Sequence, residues 1–221
     1  MAAEETSMTN TGSPPTDSSA PPSWAQELLT WLVPLSSEES IPGDLLEEYR
    51  EAVRPSRSQW HANFWYLRQV AGFLFRLAWM FVVLNAAALI LRTIVDTFAP
   101  PGFGPHSYQL RSSASTYAAV GTFLVAGIYA GYRMGRANAG TLAAVTASAV
   151  GHALALIFEI VLFYAVIRHD PAKLHVFYVT GGWGEAVGMP AIITVIAAPL
   201  GLLGGFCGEY VSRLRGRRQA T

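Results

Sequence analysis

The sequence predicts an all-α integral membrane protein: a four-helix transmembrane bundle with a helical cytoplasmic N-terminal extension. Three observations carry this. Charged residues are 14% of the 221 and AVILMFWYC is 52%, against roughly 25% charged in soluble domains; mean hydropathy is +0.31. Four separate stretches each approach the run of about 20 apolar residues that a spanning helix needs. The charges are unevenly placed: ten of the fifteen acidic residues precede Arg54, and four of the fifteen basic ones follow Tyr210. Such a chain lacks the charge to cover a soluble surface. With zero net charge, no overall field draws in a polyanion, so nucleic acid is not an expected partner. Cys207 stands alone in apolar surroundings, which leaves neither a disulfide framework nor a cysteine metal cage.

Residues 1–22 are Ser, Thr, Pro, Ala and a few acids, too polar to repay the entropy of ordering, and read as a disordered tail. They do not form a secretory signal, because no basic n-region leads into an apolar run and the first positive charge is Arg50.

Residues 23–69 read as cytoplasmic amphipathic helices. Ser23-Trp-Ala-Gln26, Asp44-Leu-Leu-Glu47 and Ser56-Arg-Ser-Gln59 have capping-box spacing, each just beyond a proline: Pro22, Pro42 and Pro55. Trp24, Leu28, Trp31 and Leu32 fall within about 100° on a helical wheel, a face suited to docking a partner. The second helix sets Leu45, Leu46, Tyr49 and Val53 against a charged remainder. The third, starting near Ser58, meets no breaker before the first span.

The four-span domain is 70–210. Val70–Ile94 carries Arg76 near one end and Arg92 near the other, so both arginines must snorkel. Ser115–Tyr132 follows the loop Pro100–Pro105. Ala137–Ile167 carries His152 and Glu159 and exceeds the hydrocarbon thickness, so it tilts or protrudes. Gly188–Gly208 tolerates Pro190 in its first turn and is expected to kink at Pro199. The short link Arg133-Met-Gly-Arg136 makes spans two and three an antiparallel hairpin, and a basic tail, 211–221, closes the chain.

Lys and Arg near the span ends number eight on the N-terminal side (Arg57, Arg68, Arg133, Arg136, Arg213, Arg215, Arg217, Arg218) and four on the other (Arg92, Arg111, Arg168, Lys173). Both termini are therefore expected in the cytoplasm. Fourteen arginines to one lysine suit a GC-rich bacterial genome and hence a bacterial inner membrane. The terminal arginines read as a topology signal, with anionic headgroups or an acidic partner as the alternative.

Small residues recur at every fourth position: Gly127, Gly131 and Gly135; then Ala139, Ala143, Ala147, Gly151 and Ala155; then Ala197, Gly201 and Gly205. In lipid, close backbone approach supplies the attraction between helices, so these predict a tightly packed bundle. A Gly-lined substrate path or a homo-oligomer stripe is the other reading.

His152 and Glu159, seven residues apart, share one helix face. An intramembrane ionisable group is a functional candidate because its burial costs a few kcal/mol unless it is paired (about 2.5–3.5 on insertion scales). The candidate roles are proton, ion or substrate handling, a structural polar contact with Arg76 or Asn85, and cofactor ligation. No cofactor is implied: His152 has no C-x-x-C-H beside it. His106, His169, Asp170, His175 and Glu185 match no zinc spacing, so no metal is expected. Phosphate-loop and serine-hydrolase motifs are absent, and Gly181-Gly-Trp-Gly184 reads as a flexible turn.

With no catalytic constellation, the sequence favours a non-enzymatic accessory or scaffold subunit. It would use the bilayer and a membrane-protein partner, or a second copy, with docking through the N-terminal helices. The alternative is a small transporter or channel using Glu159 and His152. A filled bundle suits the first reading, and a cavity reaching Glu159 suits the second.

Overall fold

The computed structural model describes residues 20–34, 40–98 and 105–219. The expected tail before residue 20 and the expected loop over 100–104 lie outside the described residues. Among the described residues the chain is helical with no strand. Helix α1 is Ser23–Leu32 and α2 is Ser40–Glu48, continued by a π-helical turn, Tyr49–Val53, and one α-turn, Arg54–Ser56. The long helices are α3 (Gln59–Phe98), α4 (Pro105–Met134), α5 (Ala137–Ala165) and α7 (Gly182–Gln219). A 3₁₀ turn, Ile167–His169, and the short α6 (Pro171–Val179) join α5 to α7.

Among the described residues four helices are long and apolar enough to cross a membrane. They alternate in direction. One end of the bundle gathers the C-termini of α3 and α5 with the N-termini of α4 and α7; this is the Arg92 end. The opposite end carries α1 and α2. Helices α3 and α7 have 40 and 38 residues, about 60 Å each at 1.5 Å per residue, twice a hydrocarbon core of about 30 Å. Helix α3 thus runs unbroken from Gln59 through residue 70 into the first apolar stretch. Helix α7 likewise passes through Pro190 and Pro199 and carries the expected basic tail in helical form to Gln219.

The predicted caps differ from those found. At α1 the cap position is Pro22, whose side chain makes no cap bond; Ser23 is already inside the helix. Helix α2 begins at Ser40, so Pro42 sits in its first turn, where a missing N–H costs nothing, and Asp44 is interior. Ser56 turns its hydroxyl back to the carbonyls of Ala52 and Val53 at 2.8 and 3.1 Å, ending one segment rather than starting the next.

Helix α7 packs along both α4 and α5, and α5 also packs on α3. Backbone proximity explains the tightness. A Cβ placed on Gly131 would lie 2.7 Å from the Cα of Gly205, and one on Gly127 would lie 3.0 Å from that of Gly201. A Cβ on Gly140 would lie 2.5 Å from the carbonyl oxygen of Gly201. Buried Ala143, Ala144 and Ala147 continue this side-chain-poor interior. Gly135 stands apart: with φ +70° it follows the end of α4, its N–H donating to the Gly131 carbonyl at 2.9 Å. It makes the α4–α5 turn.

At the α1 end, Ala25, Leu29 and Leu32 are buried in one core with Tyr49, Ala62, Tyr66 and Val70. The Tyr49 hydroxyl donates to Asn63 Oδ1 at 2.6 Å, and its ring meets Tyr66 edge-on at 5.8 Å. Burial pushes the Tyr49 phenol above its usual pKa. The Glu209 carboxylate caps α5 by accepting from the Ala137 N–H at 2.8 Å. At the Arg92 end a smaller core of Leu162, Ile167 and Phe177 seats α6. The Phe177 ring centroid is 5.1 Å from Phe163 and 5.4 Å from Trp183. Around the mid-length of the bundle the outward side chains, among them Val83, Leu84, Val125, Ile157, Val195 and Leu203, are apolar and exposed.

Candidate functional site

At the Arg92 end α3, α5 and α7 do not close on one another. Helix α4 continues upward as a 30-residue helix, and α6 lies across the gap between α5 and α7. The space left is a cavity of about 340 Å³, at the lower end of the roughly 300–1,000 Å³ of small-molecule sites. Its lower walls are apolar, including Leu89, Ala155, Leu156, Met189 and Ile193. Its upper walls carry charge.

Helix α3 contributes Arg92 and Asp96, one turn apart and 3.4 Å from each other. Arg92 Nη2 also lies 2.9 Å from Glu185 Oε1 on α7, and its Nη1 donates to Ser115 Oγ on α4 at 3.4 Å. Arg111 of α4 holds the other oxygen of Asp96 at 2.6 Å. Asp170 caps α6, accepting from the N–H groups of Ala172 and Lys173 at 3.0 and 3.4 Å; Pro171 occupies the position where no N–H is needed. Lys173 Nζ reaches Asp170 at 3.7 Å and the Phe98 ring at 4.9 Å.

These contacts leave a specific remainder. The cavity is lined by the carboxylates Asp96, Glu159, Asp170 and Glu185. Three of them pair, with Arg111, Lys173 and Arg92 respectively. Among the described residues Glu159 forms no hydrogen bond or ion pair. Lower on the same face, His152 is 6% exposed. Its Nδ1 lies 2.7 Å from the Ser148 carbonyl oxygen; a carbonyl only accepts, so Nδ1 donates. In the neutral ring that fixes Nε2 as the acceptor, and Nε2 is buried without a partner. The Ser148 hydroxyl is itself engaged with Thr194 Oγ1 at 2.9 Å.

The expected candidates thus separate. His152 and Glu159 border one cavity. Asn85 is fully buried, but its Nδ2 donates to the Ala147 carbonyl at 3.3 Å, not to Glu159. Gly151 gives it room, since a Cβ there would lie 2.6 Å from Asn85 Nδ2. Arg76 is exposed, sixteen residues before Arg92 on α3 and so about 24 Å down the helix, too far to serve as a partner for Glu159. Of the docking face, Leu32 is 2% exposed and Trp24 54%, with Leu28 packed on the core; much of that face lies against α3. Among the described residues no three His, Cys, Asp or Glu side chains are grouped to hold a metal ion.

Two functional features were missed from the sequence. Arg92-x-x-x-Asp96 carries the i, i+4 signature of a pair, which a snorkelling arginine alone does not capture. Asp170-Pro171 is a helix start signal that would have revealed α6. Comparison with protein families, curated proteins and solved structures gives no match.

Proposed function

We propose that the chain is a polytopic membrane protein of the transporter or channel class that handles a cationic guest at Glu159, with His152 as a second polar contact in the same cavity. One observation carries this: a cavity reaches both residues, and among the described residues His152 Nε2 is buried without a hydrogen-bond partner and Glu159 forms no ion pair. A carboxylate and an imidazole lone pair in a poorly hydrated place together suit a positively charged or hydrogen-bond-donating guest. Below the cavity α4, α5 and α7 approach closely through glycines, so passage would need those helices to part, as in alternating access.

The belt of exposed apolar side chains supports insertion in a bilayer, because soluble monomers rarely expose such a surface. The eight-to-four Lys/Arg bias supports a cytoplasmic α1 end, with both termini in the cytoplasm of a bacterial inner membrane. A docking role for the N-terminal helices is a second reading. It is favoured by the exposure of Trp24, Trp60 and Phe64, and recovery of a stoichiometric protein partner after gentle extraction would establish it.

The primary reading is tested by proton and monovalent-cation flux into vesicles holding the purified protein. Flux is expected in the parent and lost in Glu159→Gln, with thermal stability unchanged, because an amide cannot cycle charge. A parent with no flux of any tested cation would remove the transport reading.

A further inference from the structure

Outside the cavity, α5 and α7 leave a shallow groove bordered by Ala149, Ala153, Val187 and Ala191, all exposed. His152, Leu156, Ala186 and Pro190 border both the groove and the cavity. The two chambers therefore share one thin wall between the apolar surroundings of the bundle and its charged interior. In that wall Ala186 and Pro190 have no side chain to swing, which leaves Leu156 as the movable apolar part. Below it the Ser148–Thr194 hydrogen bond ties α5 to α7, so the opening is confined to the upper half.

An apolar approach ending at an unpaired carboxylate and a lone acceptor selects an amphiphile. The spacing selects further. Glu159 and His152 are seven residues apart, about 10.5 Å along α5 at 1.5 Å per residue, so one ammonium does not meet both. Between them the wall is Ala155 and Leu156, faced by Met189 and Ile193 of α7. This suits an alkyl chain with a polar group at each end. The carboxylate calls for a cation, and Nε2, as an acceptor, calls for a neutral donor.

We propose that the cavity takes an amphiphilic primary amine bearing a second hydrogen-bond donor about two helical turns from its nitrogen, admitted from the lipid through the α5–α7 groove. The ammonium sits on Glu159 and the far donor on Nε2 of His152. This rests on the cation-handling reading above and names its substrate class.

The test titrates aminooctanol, octylamine, octanol and octyl sulfate into nanodiscs with and without the protein, the difference being the protein's own heat. Aminooctanol should bind with saturation, octylamine about fivefold more weakly for want of one hydrogen bond, and octanol and octyl sulfate without saturation. Glu159→Gln should weaken aminooctanol at least about tenfold, as expected for losing a charge-assisted contact. In His152→Phe the two amines should bind equally. Ala191→Trp lies at the outer lip, beyond the cavity. It should slow association and dissociation of aminooctanol alike, leaving Kd unchanged; Ala153→Trp, across the groove, replaces it if that variant fails to fold. Saturable octyl sulfate binding would overturn the amine class while leaving a binding cavity in place. Glu159-dependent proton flux without amine binding would also overturn the class alone; absence of flux overturns the transport reading whether or not the amine binds, and absence of both overturns the cation site itself. Unchanged rates in the groove variant would overturn the lateral route.

Discussion

Arg92 of α3 and Glu185 of α7 meet at 2.9 Å, joining helices ninety-three residues apart in sequence across the top of the cavity. The same guanidinium holds Asp96, so the arginine is a hub that keeps two carboxylates paired and leaves Glu159 as the exception. Glu185→Gln should weaken this join without emptying it of hydrogen bonds. A loss of about 1–3 kcal/mol is expected in thermal unfolding, in the range for a bond to a charged group. The swapped pair Arg92→Glu with Glu185→Arg should recover only part of it, because Asp96 then faces a carboxylate.

Asn85 and Gly151 form a second coupled pair. Gly151→Ala places a methyl 2.6 Å from Asn85 Nδ2 and should cost about 1–3 kcal/mol as overpacking. Asn85→Ala alone loses one hydrogen bond, about 1 kcal/mol. In the double variant only the contact with the Cβ of residue 85, at 3.2 Å, remains, so the combined loss should fall below the sum of the two. A strictly additive cycle in thermal unfolding would show that the amide moves aside freely.

Two glycines in the same helix should behave oppositely. Gly131→Ala drives a methyl into the backbone of Gly205, 2.7 Å from its Cα, and should destabilise by about 1–3 kcal/mol or more. Gly121→Ala meets nothing within 4 Å and should be neutral or stabilising by up to about 1 kcal/mol, from the better helix propensity of Ala. Equal stability of the two variants would remove the close α4–α7 approach.

At the α1 end, Leu32→Asp buries a charge in the core shared with Tyr66 and should release α1 from α3, read as new protease cleavage within residues 20–34. Trp24→Asp, at a half-exposed position, should leave the cleavage pattern unchanged. Cleavage in both variants would mean that α1 depends on its exposed face for a contact outside the chain.

The orientation carries its own check. A single cysteine at Ser107, in a Cys207→Ser background, should react with an impermeant reagent from outside intact cells. One at Gln219 should react only after permeabilisation. Reversed labelling would invert the cytoplasmic assignment, and labelling of both from outside would contradict an even number of spans.

By itself the sequence determined how many helices are long and apolar enough to cross a membrane and roughly where. Hydropathy and length are local sums, insensitive to what a helix packs against. It also singled out His152 and Glu159, because seven residues on a helix return to the same face whatever surrounds them. It misplaced the ends: a cap depends on which backbone groups are left over, so Ser23 and Asp44 lost that role to helices starting one and five residues earlier than those caps imply. Gly135 continued a four-residue period on paper, yet its φ of +70° assigns it to a turn, since periodicity does not show where a helix stops. Partners across the bundle were decided only by tertiary structure. Asn85 found Ala147 and Arg92 found Glu185 because three-dimensional packing, not spacing along one helix, sets which polar groups meet. Among the described residues Glu159 forms no ion pair for the same reason: the neighbouring carboxylates take the cations of α3, α4 and α6 at contact distance.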